Sequence, residues 1–471
     1  MAPTKPSLTS MKLLSRLAAL GAIAFRRAGS LGLRRSIHLV PSCSQPRDPS
    51  DDSPATAGAA KDPSWVLLNR RGCRRVTNYS SSMAADNKTV AESQTSTGQH
   101  YLRVSSRLAG PPASSLLYYD YVGGIMPADG EKIDLAVIAA HGDSIVLRLR
   151  METCRRSSSH RRIAPLTCQF DHFVYRAGTA TRPPSLSLLP AVSIPVRDHH
   201  CRHVLLDEDT GILRRGDDEV LVAQLELGKF EHEDMADLSL LHLGRSQWEL
   251  KRSVPVVHEQ GDKLLGWLTG ASMAIPVGER FLCWVSYHGE SFILCDMAAE
   301  EGSPMLRHVP LPATPYDPNY YTNDLPPLSD SEGMGAAGDG AVRFIAIEPR
   351  CCCGRFGRTS CTRSRYAFTV TTWTLTLTMD EPLTWVKDGV FDCEELWAMP
   401  GYEGIPHGHL QSPVVSLDNS DVVYFKVGKV HEDQDIWMIQ VDTRRKALLA
   451  AVPWNTNNEA WRSGLHLPAK L

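Results

Sequence analysis

The stretch Phe281-Leu282-Cys283-Trp284-Val285-Ser286-Tyr287, followed by His288-Gly289-Glu290 and then Ser291-Phe292-Ile293-Leu294-Cys295-Asp296, decides the fold. Phe281, Cys283, Val285 and Tyr287 alternate with Leu282, Trp284 and Ser286. That alternation puts the two sets on opposite faces of a pleated strand. Glycine in the short polar connection supplies the backbone freedom of a tight turn, so the whole stretch reads as a β-hairpin.

The same pattern extends in both directions. Ile133–Ala140 and Ser144–Arg150 flank His141-Gly142-Asp143, and Val414–Leu417 and Val422–Val427 flank Asp418-Asn419-Ser420-Asp421. Phe368–Met379 is rich in Thr, Val and Trp, which suit a sheet surface. Helical periodicity is scarce past residue 65, and Glu394–Met399 reads as one short turn. Trp248–Pro255, Met305–Pro310 and Lys446–Pro453 are similar strands, each preceded by a hairpin. Loosely repeated four-stranded units over 64–455 predict an all-β chain with a β-propeller-like repeat of antiparallel sheets. Tandem β-sandwich domains are the alternative.

Charge divides the chain. The 471 residues hold 50 Lys+Arg against 53 Asp+Glu, a net of −3, with 42% apolar residues. This composition excludes wholesale disorder and a collagen-like fibre, and gives phosphate no bulk attraction, so no nucleic-acid partner is expected. Yet residues 1–47 carry Lys5, Lys12, Arg16, Arg26, Arg27, Arg34, Arg35 and Arg47 and no acid. Without them 42 basic residues face 53 acidic ones, a net of −11.

On a helical wheel Lys12, Arg16, Arg26 and Arg27 share one side, and Leu13, Leu14, Leu17, Leu20 and Phe25 the other. An Arg-rich, acid-free amphipathic start is the pattern of an organelle transit peptide, here residues 1–40. A mitochondrial address is expected. The alternatives are the chloroplast, or the cytosol or nucleus if the leader is untranslated and Met11 is the start. The apolar run Leu17–Phe25 is far short of the ~20 residues that span a bilayer, so no integral membrane segment is expected. Residues 41–63, with five prolines, read as a disordered linker. Residues 78–100 read as a long loop, 315–340 as a surface insertion, and 456–471 as a C-terminal tail.

Several short patterns suggest chemistry. Asp198-His199-His200-Cys201 spells the signature of protein S-acyltransferases, but neither the cysteine-rich domain nor the membrane spans accompany it. It is expected to be a polar loop. Gly142-Asp143-Ser144-Ile145 resembles the nucleophile block of GDS-type lipases, which would make Ser144 a nucleophile. No histidine in the chain has an aspartate three residues before it, so the partner motif is missing. Cys351, Cys352, Cys353 and Cys361 form the most unusual cluster, and four thiolates suit zinc. Adjacent cysteines converge poorly on one ion, however. Five neighbouring arginines, Arg350 to Arg365, instead suggest a redox-sensitive or simply basic loop. His407-Gly408-His409 is expected to be a plain loop, and the sequons at Asn78 and Asn87 matter only in a secreted chain. No cofactor is expected.

Cys283-Trp284-Val285, Gly289, Cys295-Asp296 and Val309-Pro310-Leu311-Pro312 resemble the hallmark of a plant family, expanded in grasses, that carries "domain of unknown function 1618". The resemblance continues through Cys351-Cys352-Cys353-Gly354, Thr371-Thr372-Trp373, Trp385-Val386-Lys387-Asp388 and Glu395-Leu396-Trp397. It ends at Pro413-Val414-Val415-Ser416 and Trp437–Thr443, covering roughly residues 64–455. Ser286, where members usually carry Asp, and His288, where Arg normally stands, depart from the pattern. The family implies no known reaction. Its members look like propeller-type domains attached to F-box proteins, which bind partners. A non-enzymatic protein-interaction module is therefore expected, with an unknown protein partner and an open oligomeric state. The alternatives are a hydrolase using Ser144, a metal- or redox-dependent protein using the Cys351–Cys361 cluster, or a ubiquitin-ligase adaptor lacking a visible F-box.

Overall fold

The computed structural model describes residues 63–75, 87–122, 132–153, 167–196, 199–203, 205–227, 235–258, 272–298, 304–312, 328–350, 366–380, 382–428, 436–454 and 466–471. The chain divides into Met1–Pro41 and Ser42–Leu471. All that follows concerns the second unit. The leader and linker lie outside the described residues.

The chain enters through β1 (Val66–Asn69), β2 (Cys73–Arg74), β3 (Ala91–Gln94), β4 (Tyr101–Arg107) and β5 (Ser114–Val122). Five four-stranded antiparallel meanders follow. The first is β6 (Lys132–His141), β7 (Ser144–Thr153), β8 (Thr167–Arg176) and β9 (Ser185–Leu188). A separate hairpin, β10 (Val192–Val196) and β11 (His199–His203), leads to the second: β12 (Thr210–Arg215), β13 (Glu219–Leu227), β14 (Met235–His242) and β15 (Glu249–Val257). The third is β16 (Met273–Val277), β17 (Phe281–Ser286), β18 (Ser291–Asp296) and β19 (Leu306–Pro310). The fourth is β20 (Glu332–Ala336), β21 (Ala341–Pro349), β22 (Phe368–Thr376) and β23 (Val386–Asp392). The fifth is β24 (His409–Val415), β25 (Val422–Gly428), β26 (Trp437–Asp442) and β27 (Ala447–Pro453). The last strand, β28 (His466–Ala469), pairs antiparallel with β1, and β1 pairs parallel with β5.

The first strands of the meanders touch in sequence: β6 to β12, β12 to β16, β16 to β20 and β20 to β24. Strand β28 then touches both β24 and β6, which closes the circle. This is a radial, propeller-like ring of six sheet units, not the paired sheets of a sandwich, with the second and third units joined into one eight-stranded sheet where β15 pairs parallel with β19. Closure removes the open edges that a stack of sheets would leave. Strands β17 and β18 are buried along their whole length. Their two faces feed different cores, Trp284 and Ile293 on one and Cys283, Val285 and Phe292 on the other. A second strand sandwiched between neighbouring sheets has no wet face, so its alternation separates two apolar sets.

Four expectations need correction. Residues 466–469 are not a tail but the strand that closes the ring. The 315–340 insertion contains a helical turn, Leu328–Ser331, and the innermost strand β20. Its Gly333 and Gly335 mimic a loop composition, but the packing demands them. A Cβ on Gly333 would lie 2.5 Å from the Pro413 carbonyl oxygen, and one on Gly335 2.7 Å from the Val415 Cβ. The 78–100 loop contains β3, a polar strand at the outer edge of its sheet. The segment from His199 is strand β11, not a loop, and Asp198 lies outside the described residues.

Candidate functional site

The inner strands of five sheets surround an axial cavity of about 250 Å³. Its wall is made of small and apolar residues such as Ala140, Ala274, Met334, Pro413 and Pro468. Small side chains are needed there because the strands converge toward the axis. The inner strands run in one sense, so the cavity has two chemically different ends. The strand ends bring His141, Gly278, Asp339 and Lys470 to one of them, where a Gly278 Cβ would meet the Asp339 carbonyl oxygen at 2.3 Å. The strand starts bring Ser272, Tyr287, Glu332 and His466 to the other.

At the first end, His141 Nδ1 accepts the Arg214 backbone N–H at 2.9 Å. Burial, with the Lys470 charge second, holds this imidazole down at about 4, so it is neutral at pH 7. The Lys470 backbone N–H donates to the Gly142 carbonyl at 2.9 Å, fixing the end of β28 to the β6–β7 turn.

At the second end, the Tyr287 hydroxyl accepts the Met334 backbone N–H at 3.0 Å and donates to Met273 Sδ at 3.3 Å. Ser272 Oγ accepts the Tyr287 backbone N–H at 3.3 Å. His466 is buried, hydrogen-bonded through Nε2 to Ser114 Oγ at 2.7 Å, and pushed down to about 3 by burial. Glu332 is different. It opens into the cavity, and among the described residues no hydrogen bond or ion pair holds its carboxylate. Burial first, then the like charges of Glu290 and Glu348, push it up to about 8. Burial raises the neighbouring Asp330 and Glu348 as well, but there a lysine opposes it, Lys426 for Asp330 and Lys387 for Glu348. With the cavity empty Glu332 holds its proton at neutral pH, and an incoming cation would favour the ionised carboxylate.

The structure scatters the residues singled out by sequence. Ser144 is fully buried, and its Oγ donates to Asp143 Oδ1 at 2.8 Å. Asp143 also receives Arg214 Nη1 at 2.8 Å and Arg182 Nη2. The Gly-Asp-Ser motif is thus an ion-paired turn with Gly142 at φ +56°, joining the first sheet to the second. The nearby His141 spends Nδ1 on the backbone of Arg214 instead of on Ser144. Cys351, Cys352, Cys353 and Cys361 lie outside the described residues. Among the described residues no cluster of three or more His, Cys, Asp or Glu is placed to hold a metal ion. His407 stacks flat on Trp397 at 4.2 Å, while His409 meets the edge of Tyr366 at 5.0 Å, so the two histidines serve different aromatic contacts. Ser286 Oγ accepts the Gly289 N–H at 3.0 Å, a turn-capping role that an aspartate at this position would also fill. His288 is exposed in the same turn.

The quoted tryptophans and charged residues tie sheets together. Trp284 Nε1 donates to the Asp209 carbonyl at 2.8 Å, and Trp385 Nε1 to the Pro310 carbonyl at 2.9 Å. Arg343, only 2% exposed, reaches Asp421 at 2.6 Å, Asp388 at 3.2 Å and the hydroxyls of Thr372 and Thr443. Glu332 and Tyr287 carried no sequence motif. The available signal was a single acid opening a Gly-x-Gly run at the start of a short strand.

Residues 284–424 match the family model described as "Protein of unknown function (DUF1618)". No curated protein sequence matches the chain. Among solved structures, the chain is similar to a phage phi92 endosialidase (9% identity, TM-score 0.29) over 78% of this chain and 63% of that one. It is also similar to a putative glycosidase from Bacteroides thetaiotaomicron (10% identity, TM-score 0.22) over 66% of this chain and 89% of that one. The chain therefore spans less than two thirds of the phage protein's length.

Proposed function

We propose that this chain, with its DUF1618 segment at residues 284–424, is a non-enzymatic protein-interaction module. Its docking face is the mouth of the axial cavity at the Glu332 end. One observation carries this reading: the cavity brings a carboxyl group that has no hydrogen-bond or ion-pair partner among the described residues together with an apolar wall. A few placed polar groups in a largely apolar concavity are the usual form of a binding site. The exposed His288 and Glu290 on the adjoining β17–β18 turn extend the face outward. The burial of Ser144 against an ion-paired aspartate supports a structural role for the serine, as does the absence of a Ser144–His141 hydrogen bond.

The reading is tested by panning a random peptide display library against the full chain and against Ser272→Phe, which places a ring at the mouth. Peptides enriched on the parent and lost on the variant are expected, with thermal unfolding confirming that the variant is folded. Equal enrichment on both would overturn the assignment of the face. Ser144→Ala is expected to leave any ester hydrolysis at the parent's rate, and a rate collapse would revive the hydrolase reading. The acid-free leader supports import into an organelle, the mitochondrion first. Proximity labelling with a C-terminal tag checks this, and mainly nuclear or cytosolic labelling would refute it.

A further inference from the structure

We propose that the axial cavity receives a lysine side chain of the partner, its ammonium group meeting the Glu332 carboxylate. This rests on the docking face assigned above and names the chemistry that face recognises.

Three observations converge on it. Glu332 lines the cavity at the first position of β20, near the mouth and not deep on the axis. Its carboxylate has no hydrogen-bond or ion-pair partner among the described residues. A carboxylate in that position gains most from a ligand that brings its own positive charge and N–H donors. Second, the charge around this end is net acidic. Asp330, Glu290, Glu332 and Glu348 act here, against Lys426 and Lys387, while the lining Arg70 is turned to the Ile138 and Asp207 carbonyls. Asp330 and Glu348 already feel those lysines, and only like charges act on Glu332. Third, the wall beside it is apolar, made by Met273, Met334 and Pro413 with the bare backbone of Gly333. An unbranched four-carbon stem carrying a compact charge suits such a wall. A guanidinium, which would also pair with a carboxylate, additionally favours a flat aromatic surface to stack on. The lining holds no Phe or Trp, and Tyr287 already uses its hydroxyl on Met273 and Met334.

The probe is Nα-acetyl-lysine N-methylamide, compared with the same compound acetylated on Nε. The acetyl group removes the charge and keeps the stem. Calorimetric titration of the full chain is expected to show the amine form binding at least about tenfold tighter than the acetylated form. In Glu332→Gln that ratio is expected to fall to about one, because the glutamine keeps the shape without the charge. Equal binding of the two forms to the parent, both lost in Ser272→Phe, would overturn the lysine assignment while leaving the docking face intact. Undiminished binding by Ser272→Phe would overturn both. No binding of the amine form by the parent would also overturn the lysine assignment. A ratio that survives in Glu332→Gln would do the same.

Discussion

Glu332 and the buried histidines set opposite pH dependences. The Glu332 carboxyl holds its proton up to about 8 in the folded chain, against an ordinary value of 4.5. Between those values the unfolded chain loses the proton first, so this group makes stability fall as pH rises from about 4.5 to about 8 and adds no slope beyond. Glu332→Gln is expected to be more stable than the parent near pH 8.5, by on the order of 3 kcal/mol. Solvent in the cavity screens the charges around the group, which keeps the difference at about 3 kcal/mol, below what full burial would give. The two proteins converge near pH 4.5. Urea midpoints at several pH values check this, and coincident midpoints at pH 8.5 would contradict the placement of the carboxyl. His141, His172 and His466 carry the reverse sign. Burial lowers them to about 4, 4 and 3 from 6.5. Their contribution is fully present above about pH 6.5 and is lost as pH falls toward those values. Unfolding near pH 5 is expected to take up about three protons from these groups, which the pH slope of the unfolding free energy reads directly.

At the scale of strands, convergence on the axis dictates composition. Gly333→Ala would drive a Cβ to 2.5 Å from a backbone oxygen of β24, where nothing flexible can yield. A cost of about 2 kcal/mol or more is expected, comparable with overpacking elsewhere. Gly340 in the following turn has open space around its Cβ position, so Gly340→Ala is expected to be near neutral. Equal denaturation midpoints for the two variants would refute the close approach. Between the fourth and fifth sheets the binding element is Arg343. Arg343→Met removes it, while Asp421 keeps Arg444 and Asp388 keeps the Thr372 and Thr374 hydroxyls, so a cost of about 1–3 kcal/mol is expected, read by thermal unfolding.

These same elements explain what the sequence made legible. The second and third strands of each sheet announce themselves because sandwiching between neighbours requires long apolar alternation, as in Phe281–Asp296. The short helix at Cys393–Trp397 was also readable. Its cap, Asp392, accepts the Glu395 N–H at 2.9 Å, while the Glu395 carboxylate accepts the Asp392 N–H. The inner strand β6 is long and was readable, but β20 and β28 are short, Gly- or Pro-bearing and partly polar, so they resemble loops when read alone. The candidate site draws on those strands. Glu332 therefore stayed hidden, while Ser144, whose motif is conspicuous, proved to be an ion-paired turn.

The whole ring depends on a strand from the far end of the chain. β28 supplies the inner position of the sixth sheet, pairing His466–Ala469 with Val66–Asn69, and touches the first and fifth sheets on either side. Leu467 and Ala469 sit in the core that includes Val66, Leu68, Leu135 and Leu147. His466 adds its hydrogen bond to Ser114 and an edge contact with Trp454 at 5.0 Å. Removing this strand would expose two inner edges and unsatisfy the backbone of β1, which no side-chain substitution does. A dispensable tail would leave the unfolding transition unchanged. A closing strand makes it essential to cooperativity, because circular closure couples every sheet to both neighbours. Deletion of residues 466–471 is therefore expected to abolish the single cooperative thermal transition. Adding back a synthetic peptide of residues 463–471 is expected to raise the melting temperature of the truncated chain in a concentration-dependent way. A truncated chain that melts as one unit at the parent's temperature would show that the ring does not need its last strand.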